Sequence, residues 1–360
     1  MKKQNVWILV ALWSILTAFA WFSSPKEISQ AERRPLAQRP ALQGSSLLSG
    51  EYMKDFEAYS LDQFPLRDAF RSLKARFHTN VLGARDNNGL YIVDGYAVKQ
   101  EYPLNRESLD HAAKRFDYLY QKYLTDSGNI HMAIVPDKGH YFAKDSGHLT
   151  LSTEEMMAYF EKRLPWMRQI DLTTALQADS YYRTDTHWKQ EALIPAAQTI
   201  AQALGVTCSG NFRVTEMEQP FYGVYYGQSA LPLQPDTICL LENDILNGCS
   251  VYDYETKKTG KLYDLEKLTG KDSYEVYLSG AKSLLTIINP AADSDKELLI
   301  FRDSFGSAIA PLLLENYAKV TLVDIRYVQI DILDRFLEFH GQDVLFLYST
   351  LVLNNSSSIK

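Results

Sequence analysis

ELLIFRDSFGSAIAPLLLENYAKVTLVDIRYVQIDILDRFLEFHGQDVLFLYS, Glu297–Ser349, is the stretch whose pattern decides the fold. ELLIF, KVTLVDI and DVLFLYS are short, continuous apolar runs, as expected of strands covered on both faces. SAIAPLLLENY and VQIDILDRFLEFH lie between them and read as helices. This βαβαβ order predicts a parallel sheet with helices packed on it. HMAIV, His131–Val135, reads as a further strand of the same sheet.

Upstream of this stretch the periodicity predicts helices over about 106–124, 152–164 and 189–204. Residues 52–77 are helical in period but interrupted at Pro65. NNGLYIVDGYAV places Asp94-Gly95 between two apolar runs, a hairpin signal. Residues 208–290 hold many Tyr, Thr and Gly without a long helical period, and read as a β-rich insertion. The folded domain is expected to run over 51–360, preceded by a polar, Pro-containing linker over 25–50.

The first 24 residues read as a targeting segment. Lys2 and Lys3 precede an uncharged apolar run, Val6–Phe22. A basic flank before such a run leaves the positive end inside and the remainder outside the cytoplasm. A retained single-pass anchor is the favoured reading, since about 17–25 residues span a bilayer. Cleavage near Ala20, after Ala18-Phe19-Ala20, would instead release a secreted protein.

Composition narrows the function. With 46% hydrophobic and 22% charged residues the chain is not disordered. A net charge of −7 with no basic cluster argues against nucleic acid. Cys208, Cys239 and Cys249 lack CxxC spacing and the His residues lack HExxH, so no metal site is expected. Cys239 and Cys249 are close enough in sequence for a disulfide, which the sequence leaves open.

Two turns carry candidate chemistry. Arg302-Asp303-Ser304-Phe305-Gly306 follows a predicted parallel strand and opens a helix. Ser304 therefore sits where α/β folds place ligands, with free N–H groups at hand for an oxyanion. An ordinary Ser or Asp cap would look the same. The second turn is Thr184-Asp185-Thr186-His187-Trp188. A serine needs a base, and the base needs an orienting partner. Asp185 and His187, two residues apart, supply both if their side chains share a face; a capping Asp and a packed His are the alternative. Asp303 reads as a turn residue.

RTDTHW with DSFG downstream resembles the alginate O-acetyltransferase group and the related DHHW-motif proteins, which are SGNH-like. FPLRDAF at Phe64–Phe70, NNGLYIVDGY at Asn87–Tyr96, VPDKGHY at Val135–Tyr141, FYGVYYGQS at Phe221–Ser229 and DIRY at Asp324–Tyr327 support the likeness in order along the chain. Thr186 replaces the first His of D-H-H-W, and Arg302 replaces the Gly of G-D-S. The resemblance implies a three-layer α/β/α SGNH-hydrolase-like fold in which the Asp-His pair precedes the serine, a permuted order. It implies a triad of Ser304, His187 and Asp185, with the Ser304 N–H in the oxyanion hole. Arg326, Tyr327 and Lys138, just past neighbouring strands, are candidate substrate contacts.

The expected activity is acyl transfer to a surface or secreted polysaccharide through an acyl-serine, without a cofactor. Acetyl esterase action by the same triad is the alternative, and a non-catalytic carbohydrate-binding or scaffold protein a second. A transferase implies a membrane-bound partner that exports acyl groups, a partner inferred from the family resemblance alone.

Overall fold

The computed structural model describes residues 3–22, 24–29 and 31–360, so Lys2 of the basic flank and Ser23 lie outside the described residues. The chain divides into two compact units. One comprises Met1–Asn88 with Tyr226–Pro232, the other Gly89–Tyr225 with Leu233–Lys360. Residues 51–88, expected at the start of the large domain, thus fall in the first unit.

The first unit holds helices α1 (Lys3–Phe22), α2 (Glu51–Asp62) and α3 (Arg67–Asn80). The break between α2 and α3 spans Pro65, because proline disfavours helical backbone in the residue before it. Part of the expected linker is pinned: the Arg34 guanidinium donates to both oxygens of Asp62 at 2.8 and 2.5 Å. That fork holds the Asp62 carboxyl down at about 2. Among the described residues no helix is long and apolar enough to cross a membrane.

The second unit begins with the hairpin β1 (Leu90–Val93) and β2 (Tyr96–Lys99). Asp94 and Gly95 both take positive φ, 48° and 80°, as a two-residue hairpin turn with matching twist requires. Then follow α4 (Arg106–Leu119), β3 (Ile130–Val135), α5 (Gly139–Ser146), α6 (Thr153–Arg163), β4 (Arg168–Ile170) and α7 (Ile194–Leu204). Asn105 and Ser152 cap α4 and α6, each side chain accepting from the N–H three residues on. The remaining strands are β5 (Arg213–Phe221), β6 (Asp236–Glu242), β7 (Ser250–Asp253), β8 (Lys258–Gly260), β9 (Leu284–Ile288), β10 (Glu297–Arg302), β11 (Lys319–Val323) and β12 (Asp343–Ser349), with the short helix α8 (Gly306–Ile309) after β10.

The main sheet has eight strands in the order β8-β7-β9-β11-β10-β12-β3-β4. From β11 to β4 every neighbouring pair is parallel. The three runs quoted first are therefore parallel neighbours, with His131–Val135 beside them. Alternate residues of β10 enter different cores. Leu298 and Ile300 pack with Trp188, Ile200 and Leu312. Leu299 and Phe301 pack with Phe116, Phe160 and Leu333. Two cores divided by one pleated sheet define the α/β/α layering.

The structure corrects two expectations. The helix expected after β10 is α-helical only over Gly306–Ile309 and tightens to 3₁₀ over Ala310–Asn316, because Pro311 cannot donate into an α-helical ladder. The helix expected after β11 is a 3₁₀ segment, Ile330–Arg335. Residues 208–290 carry five strands, β5 to β9, of which β7, β8 and β9 extend the main sheet, antiparallel, beyond β11. All three cysteines are free, so Cys239 and Cys249 are not paired.

Candidate active site

β10 lies between β11 and β12, and the chain leaves it first to one side and then to the other. Such a reversal opens a crevice at the strand's carboxyl end. Ser304 sits there. Asp303 builds the turn: its Oδ1 accepts from the Phe305 N–H at 3.0 Å, and its Oδ2 from the Ser349 N–H at 2.8 Å and hydroxyl at 2.7 Å. Asp303 thereby ties the turn to the end of β12, the structural part expected of it. Arg302 is fully buried, donating to the carbonyls of Asp303 at 3.3 Å and Lys282 at 3.4 Å. Its stem runs against Gly306, where a Cβ would come within 2.8 Å of the Arg302 Cβ. The arginine in place of the usual glycine is thus matched by a glycine four residues later.

Asp185 and His187 belong to a narrow loop closed by a bridge between Tyr181 and Trp188. The Tyr182 N–H donates to the His187 carbonyl at 3.1 Å, and the Lys189 N–H to that of Ser180 at 2.8 Å. His187 lies on the returning arm of this loop, several residues before α7. Its Nδ1 is 2.6 Å from Asp185 Oδ1 and its Nε2 is 2.8 Å from Ser304 Oγ. The structure therefore brings the three sequence-predicted residues into one continuous hydrogen-bond line. Asp185 is 1% exposed and His187 8%, which shields the pair from competing water. The imidazole stacks on Tyr274, centroids 3.8 Å apart and planes within 7°, with Phe305 tilted against it.

Several groups fix Asp185. Its Oδ2 accepts from the Val224 N–H at 2.8 Å. Gly223 lies so close that a Cβ would fall 2.2 Å from the Asp185 Cβ. One residue back, Asp236 accepts from the Arg183 N–H, the Thr184 N–H and the Thr184 hydroxyl at 2.8, 2.8 and 2.6 Å. Lys138 is fully buried, and its Nζ donates to the carbonyls of Asp185 at 2.7 Å and Tyr182 at 2.9 Å, 5.0 Å from the centre of the Tyr225 ring. Burial lowers its pKa to about 8 against the pull of Asp137, Asp185 and Asp236. Lys138 therefore braces the loop from beneath, where it was expected among the substrate contacts.

Arg326 follows β11 and is committed to Asp324. Its Nε and Nη2 meet the two carboxylate oxygens at 2.9 and 2.7 Å. Burial opposes the charge of Arg326, but Asp324 outweighs it and holds the pKa above its ordinary value. Tyr327 is 53% exposed beneath the Arg326 guanidinium. Tyr274 and Asp236 escaped the sequence reading, and Val224 stood within FYGVYYGQS without a role. Only Gly223, within FYGVYYGQS, carried a local signal, a glycine where backbone must come close. Among the described residues no group of His, Cys, Asp or Glu is arranged to hold a metal.

A parallel sheet with a serine at its switch point, and a histidine-aspartate pair delivered from an earlier loop, define an SGNH-like α/β/α class. The DHHW protein family matches residues 171–323, which include that loop, Ser304 and the strands around it. The match bears out the family resemblance read from the residues. A DHHW family protein from Eubacterium siraeum superimposes with a TM-score of 0.61 at 20% identity, covering 76% of this chain and 95% of that one. Bacillus cereus PatB1 gives 0.59 at 18% identity, covering 73% and 96%. The structure of PatB1 with a sulfonyl adduct gives 0.58 at 19%, covering 73% and 95%. At these identities the likeness is one of fold. Among curated proteins none matches the chain by sequence.

Proposed function

We propose that this protein is an extracytoplasmic serine acyltransferase that moves an acetyl group onto a hydroxyl of a cell-surface or secreted polysaccharide. The observation that carries the reading is the unbroken line from Ser304 Oγ through His187 to Asp185, at 2.8 and 2.6 Å. A line of this kind suits a nucleophile, a general base and an orienting carboxylate. Ser304 Oγ attacks the acyl carbonyl carbon while His187 Nε2 takes its proton. The tetrahedral oxyanion sits at the Ser304 N–H, and its collapse expels the donor's leaving group, which receives the proton. The acceptor hydroxyl then attacks the acyl-serine, giving its own proton to His187, and Ser304 recovers that proton as the new ester is released. Water in place of the sugar hydroxyl makes the same residues an esterase.

Exposed Tyr327, past the carboxyl end of the neighbouring strand, is a fitting contact for a sugar ring; Arg326 supports it from its ion pair with Asp324. The polar-flanked apolar run at the N-terminus supports a membrane anchor with the second unit outside, supplied with acyl groups by a membrane-bound exporting partner. No metal or cofactor is required by these steps.

The test is mass spectrometry of the intact protein after incubation with 4-nitrophenyl acetate, followed by peptide mapping. An acetyl adduct on Ser304 is expected. Since PatB1 has been solved with a sulfonyl adduct, phenylmethylsulfonyl fluoride is a second probe, and it should label the same residue. An adduct mapped elsewhere, or none with either reagent, would end the assignment and favour the carbohydrate-binding alternative. Adding an acetyl-accepting xylo- or gluco-oligosaccharide separates the two enzymatic outcomes: label on the sugar marks a transferase, free acetate alone an esterase.

A further inference from the structure

Helix α3 is amphipathic in the wrong sense for packing alone. Leu66, Phe70, Leu73, Phe77 and Val81 recur at helical spacing, and all are turned outward, 68, 43, 63, 49 and 65% exposed. The charged face points inward. Arg67 reaches Glu32 at 2.5 Å and Asp62 at 3.3 Å. Arg71 reaches Glu32 at 3.2 Å and the Gly227 carbonyl at 2.9 Å. A helix that only covered its own unit would bury Phe70, Leu73 and Phe77, because large apolar side chains are stabilised by leaving water.

We infer that α3 lies in the surface of an anionic lipid bilayer, with this stripe in the acyl boundary. Two observations select lipid. At about 100° per residue, exposed Lys74 and Arg76 lie on opposite sides of the stripe's centre, about 60° and about 100° from it, while Asp68 falls on the far side. Cations edging an apolar stripe place their stems in the boundary and their heads among anionic headgroups. The stripe is also continuous with α1. Thr17 and Ala20 of α1 line one cleft with Phe56, Tyr59 and Phe64, and Phe64 packs edge-on against Phe70 with centroids 5.5 Å apart. α1 itself presents Trp7, Ile8, Leu12, Trp13, Ile15 and Phe19 to its surroundings, each more than half exposed. Those positions lie on more than one face of the helix, a distribution that suits an apolar surrounding. The inference rests on reading α1 as the anchor.

The test uses the full chain reconstituted in phosphatidylethanolamine–phosphatidylglycerol vesicles. A nitroxide is placed by Leu73→Cys, with Asp68→Cys as the opposite face and Ser14→Cys in α1, all in a Cys208→Ser background. Collision with oxygen, enriched in lipid, is compared with collision with a water-soluble nickel complex. At position 73 the label should favour oxygen at least several-fold relative to position 68, and Lys74→Glu with Arg76→Glu should reduce that preference. A label at 73 as open to nickel as the one at 68 overturns the inference whatever position 14 reports. A label shielded from both reagents overturns it too, because a second copy or a protein partner then covers the stripe. Failure of the anchor reading itself shows separately, as an aqueous label at position 14.

Discussion

His187 depends on two neighbours with opposite demands: Asp185 must hold Nδ1 and Ser304 must present its hydroxyl to Nε2. If the three act as a unit, their losses will not add. Ser304→Ala should abolish acetyl-ester turnover, and adding His187→Ala or Asp185→Ala to it should cost little more. Asp185→Asn should retain slow turnover, reduced by roughly 10⁴ as in other orienting-carboxylate replacements. Steady-state kinetics on the single and multiple variants, with circular dichroism to verify folding, would check this. Lys138 offers a prediction with a sign. Its folded-state pKa is lowered by burial to about 8, whereas an unfolded lysine keeps its proton to about 10.4. Between those values the unfolded chain binds more protons, so this group's contribution to stability rises with pH. The melting temperature of the wild type relative to Lys138→Met should therefore climb between about pH 8 and 10.4; a flat or falling difference would contradict it. Ser304, His187 and Asp185 were legible in the sequence as candidates because their types and their turns are distinctive. Lys138 was visible as a residue near the site, but its direction was not: a lysine reads as solvent-seeking until the buried carbonyls it serves are known.

At the scale of elements, the loop that delivers Asp185 is held from outside itself. Asp236 at the start of β6 takes three hydrogen bonds from Arg183 and Thr184, and the Val224 N–H, beyond β5, donates to Asp185 Oδ2. Gly223 permits this approach. In Gly223→Ala the new methyl would stand 2.2 Å from the Asp185 Cβ, so either the segment or the carboxylate must move. Activity should fall at least 10-fold, since a displacement near 1 Å in a catalytic group costs on that order or more. On the proposed role of Asp185, orienting the base without holding the substrate, the loss should appear in kcat rather than KM. The sequence disclosed the loop and its turn residues. It could not disclose the braces, because Asp236 lies 51 residues beyond Asp185 in the chain and an isolated Asp before an apolar run looks like any strand-start residue.

At the scale of the whole second unit, the parallel half of the sheet was legible and the antiparallel half was not. β10, β11, β12 and β3 are covered on both faces and read as unbroken apolar runs. β7 and β8 lie at the sheet's edge, short and partly exposed, with polar residues such as Asp253 and Lys258 that blur any period. The strand that leads into Ser304 is thus enclosed on both faces, buried at all but its first residue, and its rigidity is supplied from both layers. Phe301 shows how much. It is fully buried, and its ring stacks on Phe346 with centroids 5.0 Å apart. It stands three residues before Ser304, and beyond the edge of its own core the Asp303 turn begins. Phe301→Ala would leave a cavity that the flanking strands cannot collapse to fill, at a cost of roughly 3–5 kcal/mol. Urea titration should show a lower midpoint with an unchanged m-value. Phe301→Leu, which keeps most of the volume, should cost much less. Under conditions where both variants remain folded, acyl transfer should fall for Phe301→Ala and stay near wild type for Phe301→Leu, because the turn is positioned by the packing of its strand. Equal activities in the two would show that the Asp303 bonds to Ser349 suffice to place Ser304 without the core beneath it.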